Sequence, residues 1–170
     1  MRATHAYDYL TKARARLFDW IRPLSQEQYV REFPYGFKTI HATLLHTASA
    51  EWIYGRRLHL ELVPVSQSPF TAEKIKGFAE VETAWADLAR DTRQRLEAVT
   101  DWEGAVEYRM TPPNAPAVQI RTTRGGIATQ LLFHEVHHRS QVMSMLRQLG
   151  VAAQNLDYSA LMFDRETVPA

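Results

Sequence analysis

The chain has 170 residues, of which 45% are hydrophobic, and its 20 basic and 19 acidic side chains leave a formal net charge of +1. This length suits one domain over residues 1–170 that buries roughly 70% of the surface exposed by its unfolded form. So balanced a charge predicts no nucleic-acid partner. The absence of cysteine excludes disulfides, iron–sulfur clusters and a cysteine nucleophile, so any metal site must use nitrogen and oxygen ligands.

The N-terminal residues predict the location of the protein. They run directly into a charged amphipathic pattern and lack the apolar segment of a signal peptide. No apolar stretch in the chain approaches 18 residues, which is the length that indicates a membrane-spanning helix. We therefore expect a cytoplasmic protein that does not enter a membrane.

The first half of the chain predicts two long helices. Residues 4–22 carry apolar side chains at helical spacing. Ser25 and Gln28 then match a capping box for one short turn. A second helix is predicted over residues 37–60, with one apolar face and another face of small residues around His46. Both faces need neighbours, so we expect this helix to pack on two sides. The small side chains beside His46 leave space for a ligand or a metal ion.

A third helix follows a linker that contains prolines. Thr71 is predicted to cap this helix at its N-terminus. Its apolar seam begins at Ile75 and continues through Trp85 to Val99, while the opposite face holds acids and arginines. This pattern is typical of an amphipathic helix that packs against a core.

A small β-hairpin is predicted between the third and fourth helices. Apolar and polar side chains alternate over residues 106–110 and again over 118–121. Between these stretches lies a loop that contains Pro112, Pro113 and Pro116. The hairpin should therefore have a long tip.

The fourth predicted helix carries the clearest indication of chemistry. Gly125-Gly126 is expected to break the chain before it, and Gly150 is expected to end it. Its inward seam has the spacing of a helix face and comprises Ile127, Leu131, His134, His138, Gln141, Met145 and Gln148. Histidines at i and i+4 can converge on one metal ion. Because a buried imidazole without a partner costs about 1 to 3 kcal/mol, either a metal or neighbouring hydrogen-bond partners must satisfy this pair.

A third ligand is expected from the second helix, because helix bundles build metal sites from facing helices. His46 is the first candidate. His41 is a weaker alternative, since it lies about 140° around the helix axis from His46. His137 is expected beside the pair or at the surface. Gln141 is expected to face the pocket, to hydrogen-bond a ligand imidazole, or to pair with another helix.

Two other metal motifs overlap this helix. The run His134-Glu135-Val136-His137-His138 satisfies the His-Glu-x-x-His motif of zinc proteases, in which the glutamate is the general base. However, no histidine follows His138, and Glu135 lies about 100° from His134, at best at the edge of the expected pocket. The same run contains the Glu-x-x-His pair of di-iron bundles, but no second copy occurs. We therefore expect neither a protease nor a dinuclear carboxylate site.

These motifs together resemble the DinB-like metalloenzyme family. The resemblance rests on one histidine, His46, in Leu44-Leu45-His46-Thr47-Ala48-Ser49-Ala50-Glu51-Trp52 and on the late segment His134-x-x-x-His138-Arg139-Ser140-Gln141. The order of the helices also fits, as do the hairpin before the last helix and a short apolar tail over residues 156–163. The glycine usual in the family's His-Arg-Gly-Gln segment is replaced by Ser140, another small residue.

The resemblance implies an all-α fold, an up-and-down four-helix bundle, in which His46, His134 and His138 bind one divalent metal ion, zinc or nickel. It also implies a homodimer and a small-molecule substrate, with a low-molecular-weight thiol among the candidates, since characterised relatives include thiol S-transferases and a thiol-dependent maleylpyruvate isomerase. We therefore expect a metal-dependent enzyme of transferase, isomerase or hydrolase type that activates water or a small thiol. The alternative is a non-catalytic dimeric bundle for ligand binding or stress response, whose histidines are structural.

Overall fold

The computed structural model describes residues 2–111 and 115–166 and is mostly helical, with one small antiparallel sheet. The long helices are α1 (Ala3–Ile21), α3 (Ile40–Arg57), α4 (Phe78–Glu97) and α5 (Arg124–Gln148), and the short ones are α2 (Gln26–Tyr29) and α6 (Tyr158–Met162). A turn of 3₁₀ helix at Val65–Gln67 and the strands β1 (Ala105–Met110) and β2 (Val118–Thr123) complete the fold. Within the described ranges, no helix combines the length and the apolar character needed to cross a bilayer.

Side-chain caps determine where the early helices begin. The predicted capping box forms at α2, where Ser25 and Gln28 satisfy each other's backbone N–H groups. The hydroxyl of Thr39 accepts from the Ala42 N–H and starts α3 three residues later than predicted. The predicted cap at Thr71 was wrong. Helix α4 begins at Phe78, because the Glu80 carboxylate accepts from the backbone N–H groups just before it.

The start of α5 also differs from the prediction. The Gly125-Gly126 pair does not break the chain but lies within the first turn of α5, which Thr123 caps by accepting from the Gly126 N–H at 3.1 Å. A Cβ atom at Gly126 would lie 2.1 Å from Thr122 Oγ1, so close packing explains this glycine. Gly150 follows the last turn with a φ of +83°, which agrees with its predicted role at the helix end.

The four long helices enclose the core. Helix α1 packs on α4 and α5, and α3 packs on the same two helices. Each helix contributes side chains that are at most 2% exposed, among them Leu10, Ile40, Trp85 and Leu146. The predicted seam of the third helix is confirmed, since Val81, Trp85, Leu88, Thr92 and Leu96 are buried. This packing holds α3 and α5 side by side.

The predicted hairpin is confirmed. Strand β1 pairs antiparallel with β2, from Ala105 opposite Thr123 to Met110 opposite Val118. The Arg57 guanidinium of α3 lies 3.8 Å from the ring centroid of Tyr108, which connects the hairpin to the end of that helix. Pro112 and Pro113 of the predicted tip lie outside the described residues.

Candidate metal centre

Three imidazoles meet where α3 and α5 pack together. His46 projects from α3, and His134 and His138 project from successive turns of α5. His46 Nε2 and His134 Nε2 are 3.1 Å apart, and one nitrogen of each of the three rings lies within 4.8 Å of the others. The structure therefore brings together all three histidines that the sequence singled out.

The surroundings of these three histidines favour the neutral form of each ring. Burial, together with the charge of neighbouring histidines, lowers the pKa of His46 to about 4 and the pKa of His134 to about 3. Burial also lowers the pKa of His138, against the effect of its hydrogen bond to Gln141. A metal ion binds the lone-pair nitrogen of a neutral imidazole, so these lowered pKa values favour ligation.

Gln141 orients His138. Its amide oxygen lies 2.9 Å from His138 Nδ1, and because an amide oxygen only accepts, that nitrogen carries the proton and Nε2 keeps its lone pair. The amide nitrogen of Gln141 lies 3.1 Å from His137 Nε2. Gly36 makes room for the amide, since its φ of +57° favours glycine and a Cβ there would lie 3.0 Å from Gln141 Oε1. Of the three predicted roles of Gln141, hydrogen bonding to a candidate ligand is the one observed.

Aromatic rings flank the three histidines. The Phe37 ring stacks on His46 with centroids 3.9 Å apart and lies 5.5 Å from the ring of His138. The Tyr54 ring meets the edge of His134 at 5.7 Å. Phe37 is 41% exposed, so its ring borders solvent and can contact a small molecule that approaches the site. The sequence pattern missed this role, because residue 37 was predicted to begin the second helix.

The remaining predicted residues lie elsewhere. His41 Nε2 lies 3.2 Å from the carbonyl oxygen of Ile75, so His41 is bonded outside the centre. His137 is exposed, as expected. The inward position predicted for Gln148 was wrong, because it is exposed and donates to Tyr35.

Glu135 was predicted to lie at best at the edge of the pocket. It is buried in the core and pairs with Arg14, which also pairs with Glu51, and we call these three residues the Arg14 cluster. Arg14 Nη2 lies 2.7 Å from Glu51 Oε2 and 2.6 Å from Glu135 Oε2. Burial raises the pKa of Glu135, and the ion pair with Arg14 acts in the opposite direction. With its carboxylate bonded to Arg14, Glu135 is not placed as the general base of a protease.

The donors present fit one divalent ion. Two nitrogen ligands at 2.0–2.1 Å from a tetrahedral ion are separated by about 3.3 Å, close to the 3.1 Å between His46 Nε2 and His134 Nε2. Neutral imidazoles suit zinc, nickel and other first-row divalent ions. The site is chemically suited to hold a metal.

The fold and the site together define a mostly helical protein with a candidate three-histidine metal centre. The sequence profile of the DinB family matches residues 1–167. Protein DinB of Bacillus subtilis (strain 168) is 25% identical over 169 residues, which cover 96% of this chain and 95% of that protein. The chain belongs to the DinB family, which confirms the resemblance seen in the histidine motifs.

Proposed function

We propose that this protein is a metal-dependent enzyme in which His46, His134 and His138 hold one zinc or nickel ion and which activates water or a small thiol. One observation carries the proposal, namely the convergence of three imidazoles from two packed helices. Membership of the DinB family supports it.

The chemistry follows from the ligand set. Three neutral imidazoles leave a divalent ion its full charge, and such an ion supplies Lewis acidity that lowers the pKa of a bound water toward about 7 or stabilises a thiolate. The chain contains no cysteine, so a reacting thiol must come from the substrate. Gln141 keeps the His138 Nε2 lone pair available, while the rings of Phe37 and Tyr54 offer apolar contact to the substrate.

Two further features belong to the proposal. The first is an up-and-down four-helix bundle formed by α1, α3, α4 and α5, supported by the contacts of each helix with two others. The second is a homodimer, supported by exposed apolar side chains after α3, with Leu60, Leu62 and Val65 each at least 50% exposed. Size-exclusion chromatography with light scattering should give twice the 19.6 kDa mass of one chain. A mass of one chain would remove the dimer from the proposal.

The test of activity uses protein loaded with Ni²⁺ or Co²⁺. Adding a small thiol should produce a sulfur-to-metal charge-transfer band in the near ultraviolet, and the protein should accelerate loss of that thiol to an electrophile, measured with a thiol-reactive dye. For water activation, hydrolysis of an activated ester is followed in parallel. His46→Ala should abolish these signals, whereas the exposed His5→Ala should retain them. Metal-loaded protein without a thiol band, thiol transfer or hydrolysis would favour the non-catalytic alternative.

A further inference from the structure

The Arg14 cluster lies in the core between the helices that carry the histidines. Arg14, Glu51 and Glu135 come from α1, α3 and α5, and they are 5%, 3% and 5% exposed. Arg14 bonds Glu135 through two nitrogens, since Nε lies 3.2 Å from Glu135 Oε1 in addition to the Nη2 contact. Such a paired contact fixes both the distance and the orientation of the two groups.

Glu51 extends the cluster to α4. Its carboxylate accepts from the hydroxyl of Tyr7 on α1 and from the indole N–H of Trp85 on α4, the latter at 2.8 Å. The Arg14 guanidinium also lies 4.3 Å from the ring centroid of Trp85. Directional bonds therefore join all four long helices through one set of buried side chains.

The cluster is coupled to the histidines by helix geometry. On α5, Glu135 is adjacent to His134 and lies about 100° around the axis from it. On α3, Glu51 follows His46 by five residues, which corresponds to about 140°. Each helix thus presents a carboxylate to the cluster and an imidazole to the metal centre. Turning either helix moves both groups together.

A metal site tolerates only small displacements of its ligand atoms, so the rotation of α3 and α5 affects it directly. An imidazole nitrogen lies roughly 7 Å from its helix axis, so a turn of about 10° displaces it by roughly 1 Å. Metal–ligand distances vary by only about 0.2 Å. A small rotation of α3 or α5 is therefore enough to spoil the 3.1 Å approach of His46 Nε2 to His134 Nε2.

We propose that the Arg14 cluster positions the metal centre, with Glu51 and Glu135 as positioning residues that fix the rotation of α3 and α5. Apolar packing alone permits several arrangements of similar energy, whereas hydrogen bonds to buried carboxylates restrict the angle. The inference rests on the proposed metal site, because it concerns how that site is held.

The test compares Co²⁺ binding by wild-type protein, Glu135→Gln and Tyr7→Phe. Competition with a chelator gives the Kd, and the visible d–d spectrum reports the coordination geometry, which overall fold stability does not alter. Leu96→Ala is the control, since it truncates a side chain that is 3% exposed near the end of α4, three turns from Trp85. Far-UV circular dichroism identifies a temperature at which every variant is folded.

Glu135→Gln should weaken Co²⁺ binding about tenfold or more and change the d–d spectrum. Tyr7→Phe should give a smaller change in the same direction, and it decides the question if Glu135→Gln does not fold. Leu96→Ala should melt at a lower temperature yet keep the Kd within about twofold and the wild-type spectrum. Wild-type Kd and spectrum in both Glu135→Gln and Tyr7→Phe would overturn the positioning role alone. Wild-type protein that binds no Co²⁺ would overturn the proposed metal site, and the positioning role with it.

Discussion

Removing the arginine of the buried cluster should destabilise the protein more than any exposed charge change on the same helix. In Arg14→Met, the carboxylates of Glu51 and Glu135 lose the cation that both contact within 2.7 Å. Breaking a buried ion pair by removing one partner costs about 3–5 kcal/mol, since an uncompensated charge is left in the core. For a domain of this size, 1 kcal/mol corresponds to about 2–4 °C, so the Tm should fall by about 6–20 °C.

The assay is urea unfolding followed by far-UV circular dichroism, with thermal melting as a second readout. Arg16→Met is the matched control, because it makes the same change at an exposed position one half-turn away and should shift stability by no more than about 0.5 kcal/mol. Acidification gives an independent signature. The destabilisation of Arg14→Met should shrink from pH 7 to pH 5, because a carboxyl group that takes up a proton no longer repels its neighbour. Equal stability of the two variants at pH 7 would contradict the role of Arg14 in compensating the two buried carboxylates.

Three further predictions concern the histidines. Gln141→Ala should weaken zinc binding about 10- to 100-fold, measured by chelator competition, while the exposed Gln148→Ala should not. Zinc at 100 times its Kd should stabilise the protein by about 2.7 kcal/mol in thermal melts, and a chelator should reverse the gain. In metal-free protein, the pKa values of His46 and His134 are lower in the folded state than in the unfolded chain. Below pH 6.5 the unfolded chain therefore binds more protons than the folded protein, so the free energy of unfolding should be highest above pH 6.5 and decline toward pH 4. In His46→Ala, the free energy of unfolding measured with urea at pH 7, 6 and 5 should decline less steeply than in wild type. An equal decline would contradict the lowered pKa of His46.

Local sequence patterns predicted what depends on helix periodicity. The pair His134 and His138 was predictable because four residues make about one helical turn, and the seam of α4 because apolar residues recur at the same spacing. Thr71 was the wrong cap because residues of good capping type recur along the linker, and α4 starts where the Glu80 carboxylate accepts from the Lys76 and Gly77 N–H groups.

Long-range pairing explains what the sequence missed. Arg14 finds its partners 37 and 121 residues away, and no local period specifies which buried acid meets which base. Arg14, Glu51 and Glu135 each interrupt an apolar helix face. Such an interruption indicates a buried charge but does not identify its partner. Phe37 reaches the site because the chain turns back beside α5 at Gly36, a path that depends on a positive φ and not on periodicity.

The metal content of the purified protein shows whether the three histidines hold an ion. Untagged protein purified without added metal is analysed for its elements, together with His46→Ala and the exposed control His5→Ala. Wild-type and His5→Ala should carry about one equivalent of zinc or nickel per chain, and His46→Ala should lose it. A His46→Ala protein that keeps one equivalent, or a wild-type protein that neither contains nor takes up metal, would contradict the three-histidine centre.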